Sequence, residues 1–444
     1  MGAMTNTLQF VPDMALPDRF LVAEVTFVDK DVEARYETSI PMQGCVIPRD
    51  GVPLRAIVTS KGMVVGAANF QYERPNVEAR VGMSSPGFKT GFHVRLSTLG
   101  LSSPLFLEVL VDTRLDNGKT RRDLVGTISG TNRPFAAGIA GSKYSPIVVP
   151  ALGRSGTTLI MGLLNAHPQV VAPGGYPFEY RQASYFWHAI RILSSPASFD
   201  LSMHPDSFEG KHFYHIGYNP YIDRQYHKAF QLNEVASWQD RELPISIINC
   251  FKSLIDQFVD KLLIDSGRNG IRYFAEKTIV SPMNDLVLNI YPGARQVFLV
   301  RDIRDSFVSA RAFNRKRGYE SFGFEGKSDE EVLASRKHIA DVLVQAHRYA
   351  QDRTHFVRYE DLVSDMKGTL LKLVEFLKLD GSPETIAKMV ASQDRKTEEK
   401  AIHATTRDTA SSVERWRSEL SENEKAYCAQ AYREFFETFG YAVQ

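Results

Sequence analysis

Ser145–His167 reads SPIVVPALGRSGTTLIMGLLNAH. A β-branched run, Ile147 to Val149, leads into Gly153-Arg-Ser-Gly-Thr-Thr158, and Leu159, Ile160, Leu163 and Leu164 then recur at helical spacing. The order is strand, glycine turn, helix. Glycines let a backbone approach a ligand closely, and the free N–H groups of a helix start, with its dipole, favour an anion. Thr157 and Thr158 add hydroxyl donors, and Arg154 adds a fixed charge with a planar donor fork. The stretch is built for a phosphate or a similar oxyanion. A Walker A loop, G-x-x-x-x-G-K-[ST], would carry a lysine at the β- and γ-phosphates and a hydroxyl on magnesium. Here the loop is shorter and Arg154 is its only charge, which disfavours nucleoside triphosphates. The alternative is a Gly-Ser-Thr helix cap that binds nothing.

A second stretch bears on that choice. Gln296-Val-Phe-Leu-Val300 has the composition of a buried strand, and Arg301-Asp-Ile-Arg-Asp305 follows it at once, opening a helix through Ser306 to Ser309. An arginine at the carboxyl end of a parallel strand faces the crevice where such sheets bind ligands, and it can grip a phosphate at two points. Taken alone, Arg304 and Asp305 read as charged flanks of a surface helix.

Together the two stretches resemble the sulfotransferases that use 3′-phosphoadenosine 5′-phosphosulfate. ALGRSGTTLIMGLLNAHP, residues 151–168, is similar to the arginine-bearing form of their 5′-phosphosulfate loop. In that family R-D-x-R-D, with a serine eight residues after its first arginine, holds the 3′-phosphate; Arg301 and Ser309 have this spacing. The resemblance implies an α/β, P-loop-like three-layer parallel sheet with helices on both faces. Its nucleotide would be held by Gly153, Arg154, Ser155, Gly156, Thr157, Thr158, Arg301 and Ser309. It also implies 3′,5′-adenosine bisphosphate as product, and no metal requirement, because arginine and lysine suffice for the smaller charge of a sulfuryl group.

The chain has 444 residues, enough for two domains. Its 53 basic residues nearly balance 52 acidic ones, which gives no field for nucleic acid. Met1-Gly-Ala-Met4 resembles a cloning scar, and neither a signal peptide nor an apolar run of membrane-spanning length stands out. Three scattered cysteines, Cys45, Cys250 and Cys428, fit a reducing cytoplasm and core positions. Between Leu16 and Ile128, seven short runs rich in β-formers alternate with turn signals such as Ser60-Lys-Gly62 and Asp116-Asn-Gly118, the pattern of an all-β sandwich over residues 16–130. Gln43 to Ile128 resembles the immunoglobulin-like modules found ahead of some bacterial glycosyltransferases, which points to a glycan-related partner; a spacer or docking module reads equally well. Residues 131–143, TNRPFAAGIAGSK, read as a linker, and residues 144–444 as the catalytic domain. A homodimer is left open.

Aromatics and histidines crowd GGYPFEYRQASYFWH and FYHIGYNPYIDRQYH, where flat rings with polar tips would suit a carbohydrate or another hydroxylated acceptor. Ordinary helix packing accounts for most individual rings. His212 and His215 lack a third metal ligand. Sulfuryl transfer needs a base for the acceptor proton and positive charge at the departing phosphate. Glu179 is the expected base, by the family's glutamate downstream of the His167-Pro168 pair, with His188 and Glu276 as substitutes. Lys277, in Ala275-Glu-Lys-Thr278, resembles the family lysine that neutralises the bridging oxygen, and Arg154 would share that task. His355-Phe-Val-Arg-Tyr-Glu-Asp-Leu362 resembles the family's late core strand, with Glu360 and Asp361 opening a helix through Leu377. Ser412-Val-Glu-Arg-Trp416 resembles its tail, from which Arg407 and Arg415 would reach the 3′-phosphate. Two other classes compete. A P-loop phosphotransferase would want a Walker lysine and a strand-end aspartate for magnesium, whereas this chain has Arg154 and puts Arg301 before Asp302. A non-catalytic binding protein would not need the loop residues intact.

Overall fold

The computed structural model describes residues 8–14, 16–27, 39–82, 87–131, 138–194, 233–240, 242–393, 405–406 and 409–444. His212, His215, the FYHIGYNPYIDRQYH stretch, residues 132–137 of the expected linker and Arg407 lie outside them. Contacts divide the chain into two compact units. The first comprises residues 1–140, 186–252 and 285–290, and the second 141–185, 253–284 and 291–444.

In the first unit, β1 (Gln9–Pro12), β2 (Phe20–Phe27), β3 (Ser39–Pro48), β4 (Val52–Ser60), β5 (Met63–Asn69), β6 (Gly91–Ser97), β7 (Leu105–Arg114) and β8 (Thr120–Gly130) form two antiparallel sheets, ordered β1-β8-β7-β4-β5 and β2-β3-β6. Alternation sets their buried faces: Leu105, Leu107, Val109 and Val111 of β7 share one core with Met42 and Val46 of β3 and Phe92 of β6. The β4–β5 hairpin turns at Lys61 and Gly62, both at positive φ (51° and 74°), the geometry that a tight hairpin requires. All seven expected strands are present. The eighth, β1, is a short edge strand that ends on Pro12, a residue tolerated only where no ladder donor is needed.

The second unit is built on a parallel sheet: β9 (Ser145–Pro150), β10 (Val170–Val171), β11 (Tyr273–Thr278), β12 (Arg295–Val300) and β13 (Thr354–Arg358), in the order β10-β11-β9-β12-β13. The chain runs outward from β9 to one side, then returns to place β12 and β13 on the other. The order therefore reverses between β9 and β12, and a crevice opens there beyond the strand ends. The pleat divides β12 between two cores. Val297 and Leu299 pack with Ile160, Leu163, Leu164, Leu370 and Leu373 on one face, and Phe298 and Val300 with Phe307, Leu343, Trp416 and Phe436 on the other. Helices thus cover both faces.

Two local expectations are corrected. The helix after β13 is broken: Tyr359–Ser364 ends at Asp365, whose carboxylate accepts the Gly368 N–H at 2.9 Å and starts a second helix, Met366–Leu377. Cys45 and Cys428 are buried, but Cys250 is exposed. It lies on the Glu242–Ser266 helix, off the buried stripe of Ile248, Ile255 and Val259.

At the end of β9, Gly156 caps the Thr157–Ala166 helix at φ 90°, and a Cβ there would lie 2.3 Å from the Tyr359 ring. Gly156→Ala should therefore destabilise the chain by more than the roughly 1–2 kcal/mol that the left-handed backbone alone costs, read as a lower urea midpoint at unchanged slope.

Candidate active site

The loop after β9 is held from behind. Ser306 donates its hydroxyl to the Gly153 carbonyl at 2.9 Å, and Arg301 donates to the Arg154 carbonyl at 2.8 Å. In a trans peptide the next N–H points opposite to the carbonyl, so fixing these two oxygens turns the Arg154 and Ser155 amides toward the other side of the loop. Arg154 itself sits at φ 67°, a strained position for a side-chain-bearing residue that these two bonds help to hold. Among the described residues the N–H groups of Ser155, Gly156, Thr157 and Thr158 have no hydrogen-bond acceptor. Four donors at a helix start, two glycines and Arg154 make a cradle of the right chemistry for a phosphate or phosphosulfate group. Gly153 also lies close against the Phe322 ring, 2.7 Å from where a Cβ would stand.

The motif after β12 meets this loop directly. Arg154 Nε lies 3.4 Å from Ser309 Oγ, and Arg301 is buried over the Tyr359 ring at 4.5 Å. Both terminal nitrogens of Arg301 are engaged, one by the Arg154 carbonyl and the other by the Ser412 carbonyl at 2.6 Å, while its buried Nε has no partner. Burial and the neighbouring Arg301 charge bring the Arg154 guanidinium down to about 10, which leaves it fully charged at neutral pH. A buried cation beside a half-buried one forms a field that an anion would relieve.

On the other side of β9, register pairs Lys277 of β11 with Val149. Lys277 is buried and donates to Glu179 at 2.5 Å and to the Pro177 carbonyl at 2.8 Å. Burial lowers the lysine pKa against the pull of its carboxylate partner. Burial raises Glu179, but the Lys277 and Arg181 charges outweigh this and hold the carboxyl below its ordinary range. Glu179 is more than half exposed, so it combines an open face with a buried cationic partner.

The two substitutes for Glu179 are placed differently. Glu276, 2 % exposed, accepts the Ala183 N–H at 2.8 Å and both the N–H and hydroxyl of Ser184 at 2.9 and 2.8 Å. It caps the Gln182–Ser194 helix, with its carboxylate fully employed. His188 lies further along the same helix, in the part that belongs to the first unit. Arg415 binds Glu419 at 2.7 Å and Thr405 at 3.1 Å within the tail.

The tail reaches the site by other residues. Besides Ser412, whose hydroxyl bonds Tyr359 Oη at 2.8 Å, Asp305 accepts the N–H groups of Glu414 and Trp416 at 2.7 and 2.9 Å. Burial pushes Asp305 up to about 6. The second arginine of the motif, Arg304, pairs with Asp302 and is sandwiched by Trp416 and Phe436, an internal role rather than the surface flank expected. Ser306, Tyr359 and Ser412 went unremarked in the sequence as site residues. Ser306 directly follows the R-D-x-R-D motif and Ser412 opens the tail stretch, so both lie beside a recognised signal, whereas Tyr359 carries none of its own. Among the described residues, no group of three or more His, Cys, Asp or Glu side chains could hold a metal ion.

The omega-hydroxy-beta-dihydromenaquinone-9 sulfotransferase Stf3 of Mycobacterium bovis is 27 % identical over 263 residues, covering 53 % of this chain and 63 % of the relative; its Mycobacterium tuberculosis counterpart matches equally. The chain thus spans just under two thirds of the length of these curated relatives. Among solved structures, the sulfotransferase domain from the curacin biosynthetic pathway matches with 16 % identity over 69 % of this chain and all of that one, at a TM-score of 0.38. The mouse sulfotransferase SULT7A1, solved with PAP, matches with 11 % identity over 68 % of this chain and 90 % of its own, at 0.37. The sulfotransferase family model covers residues 146–384, more than half of the sequence and the whole of the parallel sheet but its first residue, and the chain belongs to the sulfotransferase family.

Proposed function

We propose that this sulfotransferase takes its sulfuryl group from 3′-phosphoadenosine 5′-phosphosulfate and passes it to a hydroxyl of a carbohydrate or glycan-like acceptor. The observation that carries the donor reading is the direct contact between the two anion-binding motifs: Arg301 on the Arg154 carbonyl and Arg154 on Ser309. It supports a single nucleotide gripped through its 5′-phosphosulfate by residues 153–158 and through its 3′-phosphate by Arg301 and Ser309. The donor, when bound, supplies an activated sulfuryl group on a phosphate leaving group. The chain does the rest. Glu179, with an exposed carboxylate kept ionised by Lys277, receives the acceptor proton. Lys277 and Arg154 supply positive charge for the departing phosphate, so that no metal is needed.

The acceptor reading is supported by Tyr180 and Tyr185, which follow Glu179 in the chain and are about half and two thirds exposed, aromatic surface of the kind a sugar stacks on. A second reading, an apolar alcohol, is favoured by the Stf3 relatives, whose names specify a hydroxymenaquinone, and by the exposed Ile279 two residues beyond Lys277. For the domain plan we read residues 16–130 as an immunoglobulin-like docking module and 144–444 as the catalytic domain; the start of the second unit at Gly141 supports a boundary within 131–143. The family and the reducing-type cysteines favour a cytoplasmic enzyme.

Thermal denaturation should show stabilisation by 3′,5′-adenosine bisphosphate without added metal, and little by ATP with magnesium; the opposite ranking would favour a phosphotransferase. Glu179→Gln should lower kcat by about 10²–10⁴ while the bisphosphate still binds, whereas near-normal turnover would return His188 as the candidate base. Arg301→Ala should instead raise the donor KM by roughly tenfold or more, as expected for loss of a charge-assisted contact. Labelled-donor transfer onto a panel of oligosaccharides and long-chain alcohols separates the two acceptor readings.

A further inference from the structure

The Asp329–Arg348 helix presents Val332, Leu333, Ala340, Leu343 and Val344 to the core on one stripe. Arg336, four residues after Val332 and four before Ala340, falls on that stripe. It is 3 % exposed. Among the described residues no carboxylate pairs with it; its one hydrogen bond runs from Nη1 to Ser306 Oγ at 3.1 Å, and its Nε is buried without a partner. The Phe307 ring lies 5.7 Å away. A buried guanidinium lacking a counter-ion opposes folding, and an apolar side chain of similar volume would ordinarily be preferred there.

Ser306 connects this cation to the donor loop. Its hydroxyl, fully buried, accepts from Arg336 and donates to the Gly153 carbonyl at 2.9 Å. We propose that Arg336 is a positioning residue for donor binding, which acts through Ser306 to fix the Gly153 carbonyl and adds a buried positive charge behind the anion cradle. The charge polarises the hydroxyl and strengthens its bond to the loop. That bond in turn sets the direction of the Arg154 amide. Burial brings the Arg336 guanidinium down to about 10, so it remains cationic wherever the enzyme works near neutrality. Retaining a charge at the expense of stability fits a site whose ligand is anionic.

The proposal rests on the reading of residues 153–158 as an anion site, and its test separates the two. Binding of 3′,5′-adenosine bisphosphate to the full chain is measured by calorimetry, alongside the melting temperature without nucleotide, for the wild type, Arg336→Met, Arg336→Lys, Ser306→Ala and the Arg336→Met/Ser306→Ala double variant. Arg336→Met should melt no lower than the wild type and bind about tenfold more weakly, as for loss of a charge-assisted hydrogen bond. Arg336→Lys, which keeps the charge, should recover part of that affinity. The double variant should bind no more weakly than the worse single one, since both lie on one relay. Affinity within twofold of wild type for Arg336→Met, or for Arg336→Lys and Ser306→Ala should Arg336→Met not fold, overturns the role of Arg336, as does simple additivity in the double variant. A wild type that does not bind the bisphosphate overturns the donor reading itself, and this proposal with it.

Discussion

The hydrogen bond from Arg301 to the Arg154 carbonyl is the contact on which the rest of the site depends. It joins the ends of β9 and β12, the two strands between which the sheet order reverses. Without it, the Gly153–Gly156 turn would keep only the Ser306 bond at Gly153, and the strained Arg154 carbonyl, with the Ser155 amide opposite it, would have nothing to fix its direction. With the Arg301 and Ser306 bonds in place, two consecutive loop carbonyls face inward and the amide row is presented as a preformed cradle. Preorganisation of this kind matters more than the strength of any one bond, because donors that already point at the ligand need no reorganisation when it binds.

The tail extends the same logic. Arg301 holds the Ser412 carbonyl, Tyr359 holds the Ser412 hydroxyl, and Asp305 holds two successive tail amides. Val413 then packs into the core on the loop side of the sheet and Trp416 into the core on the other side. A segment bonded to the arginine that also braces the loop is coupled to it: a shift of either alters the other's hydrogen bonds. The buried Asp305 favours protonation by its burial, yet its geometry, with two N–H donors aimed at its two oxygens, suits the ionised form.

Much of this was legible in the sequence because short-range pattern carried it. Strand, glycine turn and helix at 145–167 fix the loop by local rules, and the pairing of Arg301 with Ser309 is legible through the family resemblance of the R-D-x-R-D stretch. The β-runs of the first unit could be read from alternation and turn residues, down to the Lys61-Gly62 hairpin. Tertiary choices were less legible. Glu276 and Lys277 are neighbours in sequence, and only the structure shows that one caps a helix while the other pairs with Glu179. Arg304 reads as a solvated flank until Trp416 and Phe436, more than a hundred residues away, close over it. Ser412 acts largely through its carbonyl oxygen, which every residue has and no composition reveals.

The site carries more buried positive charge than folding alone would favour. Arg301 and Arg336 are buried beside the half-buried Arg154, and neither Arg301 nor Arg336 forms an ion pair with a carboxylate among the described residues, although Arg304 close by is fully paired with Asp302. Aromatic rings lie beside each of the three, Phe313 under Arg154 at 4.2 Å and Tyr359 under Arg301 at 4.5 Å, and these soften the desolvation without neutralising the charge. The contrast with Arg304 is instructive, because the same sequence motif supplies one arginine with a carboxylate and leaves the other only carbonyls. A carbonyl partner satisfies the hydrogen bond and leaves the positive field intact. That division leaves Arg304 neutralised within the fold and Arg301 with its charge uncompensated, two opposite environments for arginines three residues apart.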